Sequence, residues 1–384
     1  MRSKWERKKL CEIADFNPRE SLSKGTIAKK ISMDKLQPFC RDIPSYEFEA
    51  FSGGTKFRNG DTIMARITPC LENGKTAKVS VLDDNEVGFG STEYIVFRAK
   101  EGMDEDFLYY LVCSSIIREP AIKSMVGSSG RQRVQMDVVQ NLEIQVPPIK
   151  EQRIIGKFLR NLDDKIQFNN KINKNLEQQA QTLFNQVFPY TLEDKLPHNW
   201  VIGTVNDVIE LHDSKRIPLS GFQRSKMKKR IYPYYGAASL MDYVDEYIFD
   251  GTYLLLGEDG TVVDNQGYPI LQYIWGQFWV NNHAHILTGK RGFNVESLYL
   301  LFKRTPVKSI ITGAVQPKIS QANLKSLKIV IPPENTISEF NFTIKPIFSL
   351  IRSNQDENKS LSELKDNLLS KLMSGEIDIS NLDI

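Results

Sequence analysis

The densest group of side chains that could bind a charged ligand is "RSKMKKR", residues 224–230, which places five cations in seven positions. It runs directly into "IYPYYG", residues 231–236. Basic side chains neutralise phosphates, while neighbouring aromatic and glycine residues offer flat contact surface and close backbone approach. Charge runs are also common on solvated surfaces. The segment therefore indicates either a nucleic-acid contact or a solvated loop.

Motifs for catalysis or cofactor binding are missing from the sequence. It has no Asn-Pro-Pro-Phe or Asp-Pro-Pro-Tyr to grip a flipped adenine, and no G-x-x-x-x-G-K-[ST]. "VGFGS" (87–91) is only a fragment of a glycine-rich cofactor loop, and "GEDGTVVD" (257–264) is typical of a turn between strands. His283 and His285 alternate along a predicted strand and could begin a metal site, but no third ligand has suitable spacing. We expect no catalytic residues, cofactor or metal in this chain.

Length and composition favour two or more globular domains, since the 384 residues are 41% apolar and 25% charged. No stretch approaches the ~18 to 20 uninterrupted apolar residues of a membrane helix, and the start has no signal-peptide core. We therefore expect a cytoplasmic chain without a membrane partner. The cysteines are far apart and form no C-x-x-C pair, which predicts buried free thiols at Cys11, Cys40, Cys70 and Cys113.

An internal repeat organises the chain. A shift of 185 residues lays "VQMDVVQNLEIQVPP" (134–148) on "ISQANLKSLKIVIPP" (319–333), and the register holds through the next forty residues. Each half is predicted to be mixed and β-rich. Short apolar runs between Gly and Asn turns predict strands, and amphipathic segments with acidic first turns predict helices. The predicted strands include 61–67, 93–99, 252–257 and 278–287, and the predicted helices are 103–117 and 294–304.

A heptad seam follows each double proline, and each copy contains two asparagines one turn apart. A buried amide needs a partner, so opposed asparagine layers would hold the register of two antiparallel helices. This arrangement predicts that Asn169 faces Asn358 and that Asn173 faces Asn354. It also places Val187 opposite Phe340 and Glu151 opposite Glu376. Two equal helices in one chain favour intramolecular pairing, although pairing between chains remains an alternative.

The predicted fold class is α+β, with two tandem β-rich domains and two long helices in an antiparallel coiled coil of approximate two-fold symmetry. The prolines explain the boundaries, because proline cannot continue a strand ladder and sits well just ahead of a helix. Ile155, Phe158 and Phe184 are apolar positions on the helices that suggest a partner surface. The predicted segments are 1–148 and 191–333 for the domains, 149–190 for the first helix, and 334–384 for the second helix and tail.

Several segments together resemble the DNA specificity subunits of type I restriction-modification systems, and the resemblance covers the whole chain. The start of the first helix carries that family's Pro-Pro-x-x-Glu-Gln pattern as Pro147, Pro148, Glu151 and Gln152. The second copy departs from it, since Ile337 stands where Gln152 stands. The other similar segments are "MVGSSGRQRVQMDVVQNLEI" (125–144), "YPYYGAASLMDYVDEYIFDGTYLLLGEDG" (232–260), "WVNNHAHIL" (279–287) and "GAVQPKISQANLKSLKI" (313–329).

The resemblance implies two target recognition domains that bind a bipartite double-stranded DNA sequence. It also implies as partners two adenine-N6 methyltransferase subunits that use S-adenosylmethionine, and a restriction subunit that translocates DNA. Catalysis would then lie in the partners. The alternatives are a scaffold whose paired domains bind proteins, a silent specificity cassette, and a self-contained enzyme that the missing motifs disfavour.

Candidate DNA-reading residues follow from base chemistry within that resemblance. Arginine pairs bidentately with guanine and asparagine or glutamine with adenine, whereas lysine mostly contacts phosphate. Each candidate could equally be a solvated surface charge. In the first domain we select Arg66, Lys75, Arg131 and Arg133, and in the second Lys228, Lys229, Arg230, Tyr232, Tyr235, Gln316 and Lys318.

Overall fold

A computed structural model describes residues 5–313 and 315–377. The first four residues of predicted segment 1–148 and the tail 378–384 of predicted segment 334–384 lie outside the described residues. The chain forms two compact units. Unit 1 comprises Met1–Asn170 and Gln355–Ile384, and unit 2 comprises Lys171–Asn354. Each unit therefore contains one globular part and one portion of each long helix.

Unit 1 builds its globular part from short strands and four short helices. Its elements are β1 (Glu6–Lys9), α1 (Leu10–Ile13), β2 (Ala14–Phe16), β3 (Ile27–Ile31), a 3-10 turn (Met33–Lys35), β4 (Glu47–Ala50), β5 (Thr55–Phe57), β6 (Thr62–Ala65), β7 (Thr76–Lys78), β8 (Gly88–Gly90), β9 (Tyr94–Ala99), α2 (Glu105–Cys113), α3 (Ser115–Lys123), α4 (Met136–Gln140) and β10 (Glu143–Val146). They form sheets in the orders β2-β9-β6-β7, β4-β3-β8-β5 and β1-β10. Helix α5 (Ile149–Val187) follows the double proline.

Unit 2 repeats this plan. Its elements are β11 (Val201–Thr204), α6 (Val205–Val208), β12 (Ile209–Leu211), a 3-10 turn (Asp213–Lys215), α7 (Gly221–Ser225), β13 (Tyr232–Tyr235), β14 (Leu240–Val244), β15 (Phe249–Asp250), β16 (Tyr253–Gly257), β17 (Leu271–Ile274), β18 (Gln277–Val280), β19 (Ala284–Gly289), α8 (Val295–Arg304), a 3-10 turn (Lys308–Ile310), α9 (Gln321–Ser326), β20 (Lys328–Ile331) and α10 (Glu334–Met373). The sheet orders are β12-β19-β16-β17, β14-β13-β18-β15 and β11-β20. The strand order of unit 1 recurs throughout, which confirms the predicted repeat.

The asparagine layers form as predicted. In unit 1 the Nδ2 of Asn169 donates to Oδ1 of Asn358 at 2.9 Å. In unit 2 the Nδ2 of Asn354 donates to Oδ1 of Asn173 at 2.8 Å. Asn173 also donates to the carbonyl of Ile351 at 3.2 Å. Asp163 also pairs with Lys365 in unit 1, and Phe184 packs against Phe340 in unit 2, so α5 and α10 run antiparallel within each unit.

Two of the predicted pairs along the helices are wrong in detail. Phe340 packs against the rings of Phe184 and Phe188, at 5.5 and 5.0 Å between centroids, while Val187 is 39% exposed. Helix α10 ends at Met373, so Glu376 lies beyond the helical pairing. The predicted register is confirmed at the asparagines and is displaced at Val187.

The globular parts bury apolar residues that heptad counting leaves outside the helix pair. Ile155 is 1% exposed and packs in the core of unit 1, where Phe158 is partly buried. Phe184 is 2% exposed in the core of unit 2. The predicted partner surface at these three residues is therefore wrong. In each unit, the helix portions have an apolar stripe wide enough to pack against both the opposite helix and the globular part of that unit.

The predicted asymmetry between the two helix starts has a structural counterpart. Gln152 accepts a hydrogen bond from the N–H of Asp104 at 2.9 Å and donates to the carbonyl of Pro147 at 2.9 Å. Its counterpart Ile337 is fully buried in the core of unit 2. The hydrogen bonds of Gln152 at the start of α5 are therefore replaced by apolar packing of Ile337 at the start of α10.

Several local predictions need correction. The predicted helix 103–117 divides into α2 and α3 because the backbone of Ser114 is extended, with φ −69 and ψ 161. The predicted strand 278–287 divides into β18 and β19, so His283 lies between strands. All four cysteines are free as predicted, but Cys40 is exposed and the others are only partly buried. In the part of the chain that the structure describes, no helix has the length and apolarity needed to cross a membrane.

Candidate nucleic-acid interface

A closed loop at 126–133 is the main exposed feature near the candidates in unit 1. Val126 and Arg133 exchange two backbone hydrogen bonds of 3.0 and 2.9 Å, which close the loop. The N–H of Thr68 donates to Gln132 at 3.0 Å, and the N–H of Val134 donates to Arg66 at 2.9 Å. These bonds attach the loop to the segment that follows β6. Residues 126–131 are all exposed, so the loop tip is presented to solvent.

Unit 2 builds a corresponding loop at 312–318, within which residue 314 lies outside the described residues. Thr312 and Lys318 exchange backbone hydrogen bonds of 2.9 and 2.8 Å, Gly260 donates to Pro317 at 3.0 Å, and Ile319 donates to Glu258 at 2.8 Å. Each bond has a counterpart in unit 1.

Both loops also require glycine near their start, because Gly127 and Gly313 have φ values of 136 and 87. An added Cβ at either position would lie within 3.0 Å of a backbone oxygen. The two loops are therefore equivalent structures, built from different sequences.

The unit 1 candidates differ in how far the protein itself uses them. Arg133 donates hydrogen bonds to the carboxylate of Glu93, from Nε to both oxygens at 3.0 Å and from Nη2 to Oε1 at 2.7 Å. Lys75 donates to the carbonyl of Met33 at 2.9 Å, and Arg66 is partly buried. Arg131 is exposed, and among the described residues no hydrogen bond or ion pair of its side chain is found. Arg131 and the outer edge of Arg133 are thus the unit 1 candidates available to a ligand.

The basic run of unit 2 folds around an acidic centre. The N–H groups of Lys228, Lys229 and Arg230 donate to the carboxylate of Asp245 at 3.0, 2.7 and 2.7 Å. The hydrogen bond from the Arg230 N–H, with those from the two lysines, holds the pKa of Asp245 below its ordinary value. Because the backbone carries these contacts, the side chains of Lys228 and Lys229 stay exposed.

Asp242 forms ion pairs with the two arginines of the same run, Arg224 and Arg230. It accepts from Nε of Arg224 at 3.0 Å and forms an ion pair with Arg230. The predicted cluster of five cations is therefore partly neutralised by its own hairpin. Within the described residues, Lys226, Lys228 and Lys229 are the members whose side chains form no ion pair, and Nζ of Lys226 lies over the ring of Phe222, 4.0 Å from its centroid.

The two tyrosine candidates are mainly packing residues. Tyr232 contacts the ring of Tyr247 at 5.0 Å, and Tyr235 packs against Phe278 with 6.0 Å between centroids. Burial raises the pKa of Tyr235. Gln316 is exposed at the loop tip, whereas Lys318 pairs with Glu258 at 3.3 Å. Among the residues that the structure describes, Gln316, Lys228 and Lys229 are thus the exposed candidates of unit 2 whose side chains form no ion pair.

A buried ionic network supports the loop of unit 2. Nδ1 of His285 contacts Asp213 at 2.6 Å, and its Nε2 contacts the carbonyl of Ile319 at 2.8 Å. Burial raises the pKa of Asp213, but the hydrogen bond and charge of His285, the Ile286 N–H and Arg216 outweigh it and the net pKa is lowered.

Asp213, Glu258 and His285 place possible ligand atoms within 4.8 Å of one another. Arg216 lies 3.3 Å from Asp213 and 2.6 Å from Glu258, so a guanidinium already supplies the positive charge between these carboxylates. The histidine pair predicted to share a face does not do so, because His283 instead contacts Asp259. We interpret the cluster as an ion network rather than a metal centre.

Sequence reasoning overlooked the acidic partners that decide which cations are available. Glu93, Asp242, Asp245 and Glu258 each hold a candidate residue, across sequence separations from 12 to 60 positions. The local sequence feature that could have indicated these partners is the mixture of acidic and aromatic residues in "MDYVDEY" (241–247). Pairing of this kind depends on strand register, which places Asp242 opposite Tyr234.

Comparison with known proteins places these features in a family. The family described as type I restriction modification DNA specificity domain matches residues 2–178 and again residues 197–363. These two matches follow the repeat that the strand orders display.

Individual relatives carry related names. The MjaIX specificity subunit of a type I restriction enzyme from Methanocaldococcus jannaschii is 23% identical over 314 residues, which cover 74% of this chain and 71% of that protein. The EcoAI specificity subunit from Escherichia coli is 32% identical over 208 residues, covering 51% of this chain and 35% of that protein. Both names agree with the predicted class of specificity subunit.

A solved structure shares the fold. The S subunit of a type I restriction-modification system from M. genitalium has a TM-score of 0.56 and 15% sequence identity, and the match covers 97% of this chain and 96% of that one. With two matched domains covering most of its length, the chain belongs to the type I restriction-modification DNA specificity family.

Proposed function

We propose that this chain is the noncatalytic subunit that selects a bipartite DNA target, with unit 1 and unit 2 each contacting one half. The observation that supports this most directly is the repeated loop. Each unit presents a closed, exposed loop with a cation at its end, held by the same set of backbone hydrogen bonds. Such loops can reach base edges, while Lys228 and Lys229 contact phosphate.

The proposed partners are two adenine-N6 methyltransferase subunits and a restriction subunit that translocates DNA. S-adenosylmethionine would bind to the methyltransferase partner, and this chain would need no cofactor. Family membership supports these assignments. The chain's own contribution would be to position the partners on the selected sequence.

Single-molecule sequencing of methylated adenine in a host genome, with and without this gene, tests the proposal. The methyltransferase subunits are expressed in both strains, so the only difference is the specificity chain. We expect one gapped motif to lose methylation when the gene is deleted. Replacing residues 1–148 by the corresponding segment of a relative should then change only one half of that motif.

An unchanged methylome in cells that express the protein would contradict the proposal. It would leave a silent cassette or a protein-binding scaffold. The scaffold alternative also predicts that the assembled complex has no salt-sensitive DNA affinity, since neutralising phosphates releases counterions. A binding titration at two salt concentrations separates these cases.

A further inference from the structure

Three equivalent positions surround each exposed loop. In unit 1 the N–H of Arg66 donates to the carbonyl of Glu93 at 2.9 Å, and Arg133 closes the loop. In unit 2 the N–H of Glu258 donates to the carbonyl of His283 at 2.8 Å, and Lys318 closes the loop. Together with the loop contacts described above, these backbone bonds have counterparts in the other unit. We call each set of three positions a loop cage.

The backbone of the two cages is the same, but the side chains differ in charge. Unit 1 places Arg66, Glu93 and Arg133 where unit 2 places Glu258, His283 and Lys318. The backbone bonds do not depend on these side chains, so holding the loop does not explain why they differ. A role in selecting a ligand does explain it, because two halves of a bipartite target present different base edges.

We propose that the loop cages are specificity-determining sites, in which residues 66, 93 and 133 select the half-site of unit 1 and residues 258, 283 and 318 select that of unit 2. This inference rests on the proposed function. It goes further by assigning base selection to these six positions and by distinguishing the chemistry of the two sites.

In unit 1 the cage presents hydrogen-bond donors. Glu93 engages Nε and Nη2 of Arg133, while the Arg133 side chain remains 46% exposed. The bidentate contact limits the rotation of the guanidinium and leaves Nη1 and the second N–H of Nη2 for a ligand. A fixed arginine suits O6 and N7 of guanine. Glu93 is thus a positioning residue for Arg133, and unit 1 selects guanine at this position.

In unit 2 the cage presents acceptors beside the lysine. Asp259 contacts Nδ1 of His283, whose side chain is 45% exposed, so Nε2 is the ring atom left for a ligand. Glu258 lies between Arg216 and Lys318, at 2.6 and 3.3 Å. A histidine nitrogen or carboxylate oxygen accepts from an exocyclic amino group. Unit 2 therefore selects a base that carries such a group in the major groove, adenine or cytosine.

The test compares methylomes of the assembled complex for the unchanged chain, Glu93→Gln and His283→Ala. We expect Glu93→Gln to relax the preference for one base in one half-site by about 5- to 150-fold, since a bidentate contact contributes ~1 to 3 kcal/mol of discrimination. His283→Ala should relax one base in the other half-site, because alanine offers no acceptor. Glu143→Gln is the matched control, because Glu143 pairs with Arg7 between β10 and β1, outside the cage.

Relaxation of both half-sites by one variant, relaxation of the same half-site by both variants, or an unchanged motif would overturn the cage assignment. If Glu93→Gln fails to assemble, Arg133→Lys decides the question, because lysine keeps the charge and cannot make the bidentate contact. Failure of the proposed function looks different: the unchanged chain would then direct no gapped motif at all.

Discussion

At the contact between α5 and α10, unit 1 buries charged groups where unit 2 buries hydrocarbon. Nζ of Lys365 lies 2.6 Å from Asp163, which also accepts from the hydroxyl of Tyr110 at 2.7 Å. The repeat shift of 185 residues places Phe348 and Ala180 at the equivalent positions of unit 2, and these are 1% and 0% exposed. One helix geometry therefore accommodates either an ion pair or apolar packing.

The ion pair has a consequence for helix pairing that the apolar contact lacks. If α5 paired with a second α5 in the same register, Asp163 would face Ala180 and lose its cation. If α10 paired with a second α10, Lys365 would face Phe348. A buried charge without a partner is strongly unfavourable. The comparison teaches that the charged contact in unit 1 favours the α5 to α10 pairing over either self-pairing.

The largest expected effect comes from removing the cation in unit 1. Lys365→Met leaves Asp163 buried and unpaired, and we expect a loss of about 3 kcal/mol in unfolding free energy. Hydrogen exchange followed by mass spectrometry should show the loss of protection in unit 1. The double variant Asp163→Phe with Lys365→Ala installs the unit 2 contact and should recover part of the stability. Equal loss in the single and double variants would show that the ion pair is not responsible.

The asparagine layers provide a smaller contrast. In the unit 2 layer both Asn173 polar atoms are hydrogen-bonded, whereas Oδ1 of Asn169 in unit 1 is buried without a hydrogen-bond partner. Asn173→Leu should cost about 2 kcal/mol because it leaves Nδ2 of Asn354 without its partner and removes the side-chain hydrogen bond to the Ile351 carbonyl. Asn169→Leu should cost about 1 kcal/mol, since it also removes an unsatisfied oxygen. Urea unfolding of both variants measures the difference, and the reverse order would contradict this account.

The hairpins β3–β4 and β13–β14 should differ in their contribution to DNA affinity. Lys30 and Lys35 of unit 1 pair with Glu49 and Glu47, at 2.7 and 2.8 Å. Lys228 and Lys229 of unit 2 are exposed beside their hairpin. Replacing the latter two by alanine should lower the slope of log affinity against log salt by about 2, because each phosphate that a lysine neutralises adds ~0.9 to that slope.

The matched double variant is Lys30→Ala with Lys35→Ala, which should leave that slope unchanged because its lysines are already neutralised. Fluorescence anisotropy of the assembled complex on target DNA, repeated across a salt series, gives both slopes. Equal slopes for the two double variants would remove the distinction between the hairpins.

The smallest expected effect is a difference in the rate at which the cysteines of the folded chain are alkylated. All four cysteines belong to unit 1. Burial raises the pKa of both the Cys40 and the Cys113 thiol, that of Cys113 to about 12, which disfavours the reactive thiolate. Cys40 is exposed, whereas Cys113 is partly buried. Alkylation of the folded chain should modify Cys40 first and Cys113 last, as followed by peptide mass spectrometry. Early reaction at Cys113 would mean that this part of unit 1 opens readily.

Much of the fold could be predicted because its signals are local or periodic. The double prolines mark the start of both long helices, and the heptad spacing identifies Asn169, Asn173, Asn354 and Asn358 as opposed layers. The candidate interface was less predictable. Arg133 and Lys75 were selected for their charge, but their availability depends on Glu93 and the carbonyl of Met33, which strand pairing brings close. Charge in a sequence indicates a possible contact and cannot show whether the protein already uses it.

The sequence by itself determined the repeat, the long helices and their antiparallel register, because apolar spacing and proline act over a few residues wherever they occur. Only the tertiary structure decided which cations remain exposed, that Ile155 and Phe184 lie in the cores, and that Asp163 meets Lys365. It also showed that the backbone hydrogen bonds that close the loop 126–133 recur in the loop 312–318, whose sequence differs. Their likeness lies in backbone hydrogen bonds between distant segments, and such bonds place almost no constraint on side-chain identity.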